Sequence, residues 1–228
     1  NLSQTESSDG VLGGPIDCWF QPLSLVKYCN PVLAMQLGCQ RRTKMYPFLR
    51  TVKELIKYRN ATRLPIGGVH VSHHICWPWD LDMWGELNNG RTLSIFDLGR
   101  FGWAQRTGLM ALLRKHKWGL TIAGASVRYR HRIRAFNLIE MRSRLIYWDE
   151  KFVYIEQIML LKGGRCANQI LYRSGVVDSN GMVPTTQVAK ALGHTTEPPD
   201  CPKWAADWIA AEDVRPWPPD LAGEVEVG

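Results

Sequence analysis

Four strand-like runs follow one another between Thr121 and Val177 with no helical pattern among them, and this succession restricts the fold more than any other feature of the chain. Parallel neighbours need a crossover of a dozen or more residues, usually a helix, so runs joined this closely must pair antiparallel. Residues 121–133 alternate, with Ala123, Ala125, Val127, Tyr129 and Ile133 on one face and Ser126, Arg128, Arg130 and Arg132 on the other. Residues 138–148 repeat the arrangement, setting Ile139, Met141, Leu145 and Tyr147 against Glu140, Arg142 and Arg144. The runs 152–161 and 166–177 flank Lys162-Gly163-Gly164-Arg165, where paired glycines supply the positive φ angles of a tight hairpin. Such strands have one face to bury. One long helical pattern, carried by Leu93, Phe96, Arg100, Trp103 and Ala104, is available to cover it. The predicted fold class is therefore α+β, an antiparallel sheet packed on one long helix.

The stretch leading into that helix concentrates the chemistry. Residues 69–77 (VHVSHHICW) read as a strand bounded by Gly67-Gly68 and Pro78, and the acids Asp80 and Asp82 follow at its end. Asn88 is placed to cap the helix, whose first N–H groups lack intrahelical partners and carry partial positive charge. A carboxylate and an oxyanion hole would then face one site. In that scheme Asp82 activates water or attacks a carbonyl, Asn89 or Gly90 supplies the oxyanion donor, Asp80 fixes the turn, and Glu86 either orients water or is a solvated loop residue. The plainer alternative for Asp82 is a turn or cap residue. His70, His73 and His74 lie on a strand, where neighbours point to opposite faces, so no metal site is expected.

The run DLDMWGELNNGRTLSIFDLGRFGWAQRTGL, residues 80–109, resembles the D-x-D-x-x-x-H-x-N-N-G-R-Y…DLGR…RTGL signature of thioesterases of the hydroxybenzoyl-CoA type, in the bacterial branch similar to THEM6-like proteins. The likeness extends from Met45-Tyr46-Pro47-Phe48-Leu49-Arg50 through 126–130, 147–157 and 183–193 to Trp204 and Trp208. It implies a hotdog fold, hydrolysis of an acyl-CoA thioester, and a homodimer or homotetramer whose sheets join edge to edge with the cleft at the subunit boundary. Glu86 stands where many relatives have His, and Thr92 where many have Tyr. These two departures make a non-catalytic hotdog protein, binding acyl chains or serving as an interaction module, the alternative.

Charge bears on the partner. A net charge of +7 favours an anionic one. Arg128, Arg130 and Arg132, with Arg134 beyond them, are candidates to bind coenzyme A phosphates with Asn88 nearby, and a solvated face is the alternative. No nucleic-acid reader motif accompanies them, so nucleic acid is a minor alternative. No cofactor is expected. The six cysteines are scattered without a C-x-x-C pair and read as reduced thiols in a cytoplasmic protein. No window reaches the ~18 uncharged apolar residues of a membrane span.

Residues 1–44 are expected to be a disordered or non-native extension, 45–195 the hotdog domain, and 196–228 a C-terminal helix with a Pro-rich tail. Near the start, Phe48, Leu49, Val52, Leu55 and Ile56 share one face of a predicted amphipathic helix, which is expected to pack on the sheet's edge or on a partner subunit, with contact to a membrane surface the alternative. Short helices are also predicted at 109–117, 185–192 and 204–212.

Overall fold

The computed structural model describes residues 47–219, so the expectation for residues 1–44 lies outside the described residues. In chain order the elements are α1 (Phe48–Lys57), β1 (His70–Ile75), a 3-10 turn (Pro78–Asp80), α2 (Asn89–Thr107), α3 (Leu109–His116), β2 (Gly119–Tyr129), β3 (Leu138–Trp148), β4 (Phe152–Leu161), β5 (Arg165–Asp178), β6 (Gly181–Val183), α4 (Thr185–Ala191) and α5 (Lys203–Val214). Every strand pairing is antiparallel, in the order β1-β3-β4-β5-β2 with the short β6 beside β5. The sheet curls around α2, giving the expected hotdog arrangement.

α2 is the central helix because it can be buried nearly all round. Ile95, Phe96, Leu98, Trp103 and Ala104 enter the core with Met141, Ile155, Met159 and Ile170 of the sheet. Two glycines let the helix approach the strands closely. A Cβ on Gly99 would stand 2.2 Å from the Met141 sulfur, and one on Gly102 would stand 2.4 Å from His70 Nε2. Buried Gln157 of β4 bridges the layers, donating to the Phe96 carbonyl at 2.9 Å and to Ser143 Oγ at 2.7 Å. The β4–β5 hairpin turns on Gly163 and Gly164, with φ of +81° and +76°, as the sequence predicts.

Two expectations about faces need correction, and for α1 the sheet-edge expectation for its apolar face fails while the partner-subunit one is untouched. In β3 the register slips between Leu145 and Tyr147, and the extra residue turns Tyr147 away from the main core. Its ring stacks instead on Tyr154 at 5.7 Å, on the sheet's outer side, where Ala205 and Trp208 of α5 also pack. β2 was expected to bury one face, but as a sheet edge it leaves Ala123, Ala125 and Tyr129 exposed. In α1 the buried residues are Thr51 and Glu54, whereas the apolar Phe48, Leu49 and Ile56 are 67%, 84% and 68% exposed. The polar side turns inward because Arg50 reaches the Asp80 carboxylate at 2.7 Å and fixes the helix's rotation.

α1 lies against α2, near the inner face of β1. There His70, Ser72 and His74 are buried and His73 points outward, as strand alternation requires. Burial holds His70 down to about 4, with Arg106 adding to it, and His74 down to about 3, with Lys53 adding to it. Both shifts lie below the unfolded value of 6.5, so above that pH neither imidazole costs stability. As pH falls from 6.5 the unfolded chain takes up protons that the folded chain refuses, and stability drops until the folded values are reached. By pH 5.5 His74 alone is expected to cost about 1 kcal/mol. Denaturant midpoints of the parent and of His74→Gln, measured at pH 7.5 and 5.5, should show a smaller acid loss in the variant. An equal loss would contradict this assignment.

Candidate active site

The segment between β1 and α2 folds into a tight, internally bonded turn. Asp82 N–H donates to the Glu86 carbonyl at 2.8 Å, Gly85 N–H to the Asp82 carbonyl at 3.1 Å, and Asn88 N–H to the Asp80 carbonyl at 2.9 Å. Gly85 adopts φ +72°, a left-handed conformation that glycine takes without strain. The turn exposes Met83 and Trp84 at its tip and holds its acids at its base.

Those acids have different surroundings. Asp80 is fully buried, accepting from Arg50 at 2.7 Å, from Arg91 at 2.9 and 3.2 Å, and from the Trp77 N–H at 3.0 Å. This confirms Asp80 as the residue that fixes the turn. Arg91 was missed as its partner. A cation in the first turn of a helix opposes the helix dipole, and that oddity in the sequence calls for a nearby carboxylate.

Asp82 is half-buried. Its Oδ1 accepts from Trp84 N–H at 2.9 Å and from Glu86 N–H at 3.2 Å, so one oxygen performs the turn-capping role. Oδ2 has no hydrogen-bond partner among the described residues.

Asn88 caps α2 as predicted, and in doing so it changes the donor assignment. Its Oδ1 accepts from Gly90 N–H at 2.9 Å and Arg91 N–H at 3.1 Å. Gly90 is thereby occupied, and Asn89 N–H is left without an acceptor among the described residues. Thr92 is buried and its hydroxyl donates back to the Asn88 carbonyl at 3.1 Å, so it presents nothing to solvent.

Beside this helix start lies a cleft of about 200 Å³ lined by Glu86, Asn89, Tyr129, Arg130, Arg132 and Asn168, among others. β2 ends at Tyr129. Arg130 and His131 both donate their N–H to the Ala167 carbonyl, and the chain then swings toward the turn, where Leu87 N–H meets the Ile133 carbonyl at 2.8 Å. The swing carries Arg130 and Arg132 into the cleft, and Arg132 pairs with Glu86 at 2.9 Å. Glu86 is therefore a wall of the cleft.

Arg128 does not join them. It precedes the swing and lies on the sheet's outer face with Ser126, lining a separate cavity. The expected single basic face of Arg128, Arg130 and Arg132 is thus divided, because the alternation stops with the strand. Asp82, Asn88 and Gly90 do not line the cleft, and Asp82 is joined to it through Glu86. Tyr129 and Asn168, paired across β2 and β5, are cleft residues that sequence reasoning missed.

Residues 76–222, beginning just after β1 and spanning the turn, α2 and strands β2 to β6, match the Thioesterase-like superfamily. The chain belongs to that superfamily. It is 31% identical over 145 residues to Protein THEM6 of Xenopus laevis, covering 63% of this chain and 69% of the relative. It is 29% identical over 142 residues to Protein THEM6 of Drosophila melanogaster, covering 61% and 72%. Among solved structures, YbaW Probable Thioesterase from Escherichia coli aligns at TM-score 0.51 and 15% identity, over 56% of this chain and 99% of that one. DHNA-CoA Thioesterase from Staphylococcus aureus aligns at TM-score 0.50 and 11% identity, over 64% and 93%. At these identities the structural likeness concerns the fold. Among the described residues no helix is long and apolar enough to cross a membrane.

Proposed function

We propose that this chain hydrolyses an acyl-CoA thioester to the free acid and coenzyme A, as thioesterases of the hydroxybenzoyl-CoA type and their bacterial relatives do. Membership of the superfamily supports thioester hydrolysis as the reaction class. The observation that carries the finer reading is the Asn89 N–H at the start of α2, which has no acceptor among the described residues and lies on a cleft that also holds two arginines. A thioester carbonyl oxygen placed there gains a donor at the positive end of a long helix, where charge develops as the carbonyl is attacked. Asp82 Oδ2 either takes the proton of a water that attacks the carbonyl or attacks it directly to form an acyl anhydride that water then hydrolyses to the free acid; in both courses the C–S bond breaks and the departing thiolate is protonated from water. Glu86 holds Arg132 in the wall.

Arg130 and Arg132 meet the anionic part of coenzyme A in this scheme. Replacing both by Gln should raise KM for acyl-CoA about 10-fold with little change in kcat, because binding energy common to ground and transition states is lost. The same acyl group on a short thiol lacking the nucleotide should show no such change. An unchanged KM for acyl-CoA would remove both arginines from the substrate site.

β2 is an eleven-residue edge strand with exposed Ile122, Ala123, Ala125 and Tyr129, and its outer edge, which pairs with no other strand among the described residues, invites pairing with a second copy. Sedimentation should therefore show a dimer or a larger even-numbered oligomer. A catalytically active monomer at micromolar concentration would contradict the edge-to-edge assembly.

The experiment that tests the reading is thiol release from a panel of acyl-CoA substrates of varied chain length. One observation favours the acyl-binding alternative: Asn88 already occupies two helix N–H groups and Asp82 commits one oxygen to its own turn. Absence of turnover with every panel member would decide for that alternative.

A further inference from the structure

The outer face of the sheet carries a second cavity, of about 300 Å³, on the side opposite α2. Its floor is Ser126 and Leu171, which face each other across β2 and β5, and the neighbouring pair Arg128 and Gln169 forms one end. α5 supplies the wall. Trp204 and Trp208 are one helical turn apart and both line the cavity. Trp208 is anchored by an edge contact with Tyr154 at 6.5 Å, whereas Trp204 is 46% exposed.

The polar groups here are held in a definite arrangement. Arg144 donates to Glu156 Oε2 at 2.8 Å, and the Glu156 Oε1 accepts from Gln169 Nε2 at 2.7 Å. With its nitrogen committed, the Gln169 amide keeps Oε1 as an acceptor that has no donor among the described residues. Arg128 is exposed and makes no ion pair among the described residues. The cavity thus combines an aromatic face, an acceptor with a fixed orientation and an unpaired guanidinium. A flat ring bearing an amine donor, attached to an anionic group, matches all three. The volume is at the lower end of the ~300–1,000 Å³ of small-molecule sites, enough for a ring system and its adjoining phosphate.

We propose that this cavity binds an adenine nucleotide, with the ring on Trp204, the exocyclic amine donating to Gln169 Oε1 and a phosphate on Arg128. The nucleotide end of coenzyme A and a free adenine nucleotide share this chemistry. Binding itself does not rest on thioesterase activity, so failure of one reading is distinguishable from failure of the other.

The test is titration of the full chain with ADP, followed by equilibrium dialysis and by tryptophan fluorescence. Saturable binding is expected, and IDP, which carries a carbonyl in place of the amine, should bind at least ~10-fold more weakly. Arg128→Gln and Trp204→Ala, both at exposed positions, should each weaken ADP by at least ~10-fold. Displacement of ADP by coenzyme A but not by pantetheine assigns the site to the nucleotide end of coenzyme A and takes that end away from Arg130 and Arg132. Retention of ADP in saturating coenzyme A assigns it to free nucleotide, and either result supports the site. No saturable binding in dialysis, or binding equally tight in both variants, would overturn the proposal.

Discussion

Asp82→Asn is expected to lower kcat for acyl-CoA hydrolysis by about 100-fold or more while leaving the folded structure in place. The substitution is informative because of how Asp82 is held. Its Oδ1 accepts from the Trp84 and Glu86 N–H groups, and an amide oxygen can still accept both bonds, though more weakly than a carboxylate. The turn therefore survives, and what disappears is the negative charge on Oδ2. A residue that only capped the turn would show little change in either quantity. Glu86→Gln should cost roughly 10-fold, since Glu86 acts through its 2.9 Å contact with Arg132 on the cleft wall. Steady-state kinetics with a single good substrate, alongside thermal melting, distinguishes the two. Full activity in Asp82→Asn would show that the carboxylate has been misassigned even if the hydrolase reading stands.

Asp80→Ala should act in the opposite way, chiefly on stability. Asp80 is fully buried and neutralises two guanidinium groups, one from α1 and one from the first turn of α2. Removing one partner of a buried ion pair leaves charges that are neither solvated nor matched, at a cost on the order of 3 kcal/mol. The loss should be larger than for Asp80→Asn, whose oxygen can still accept from Trp77 N–H and from one arginine. Urea unfolding of the three proteins at pH 7.5 gives the comparison directly. A variant as stable as the parent would mean that the Arg50 and Arg91 contacts contribute nothing net. The two aspartates of one short motif are thus separable, one by kcat and the other by unfolding.

Most elements, the antiparallel sense of the sheet and the β4–β5 hairpin were legible in the residues alone. Alternation with period two, helical spacing from Phe96 to Ala104, paired glycines at 163 and 164 and the Asn88 cap are local signals, and each arises from backbone geometry within a few residues. Local signals also sufficed to mark Asp80 as the residue that fixes the turn. Which side of each element meets which neighbour depended on contacts between residues far apart in the chain. An amphipathic pattern marks two faces in α1, but the Arg50–Asp80 contact, thirty residues apart, turns the polar one inward. A single extra residue in β3 moves Tyr147 to the outer face, and no period-two count can foresee where a bulge falls. The arginines divide for the same reason. Arg128 keeps the strand's alternation and joins the tryptophans, whereas Arg130 and Arg132 follow a chain that has left the sheet to bond with the Ala167 carbonyl and the Asp80–Asn88 turn. The cleft at the start of α2 exists because of that long-range closure, so the motif showed the turn and the helix cap on one side of it and not the walls that β2 and β5 supply.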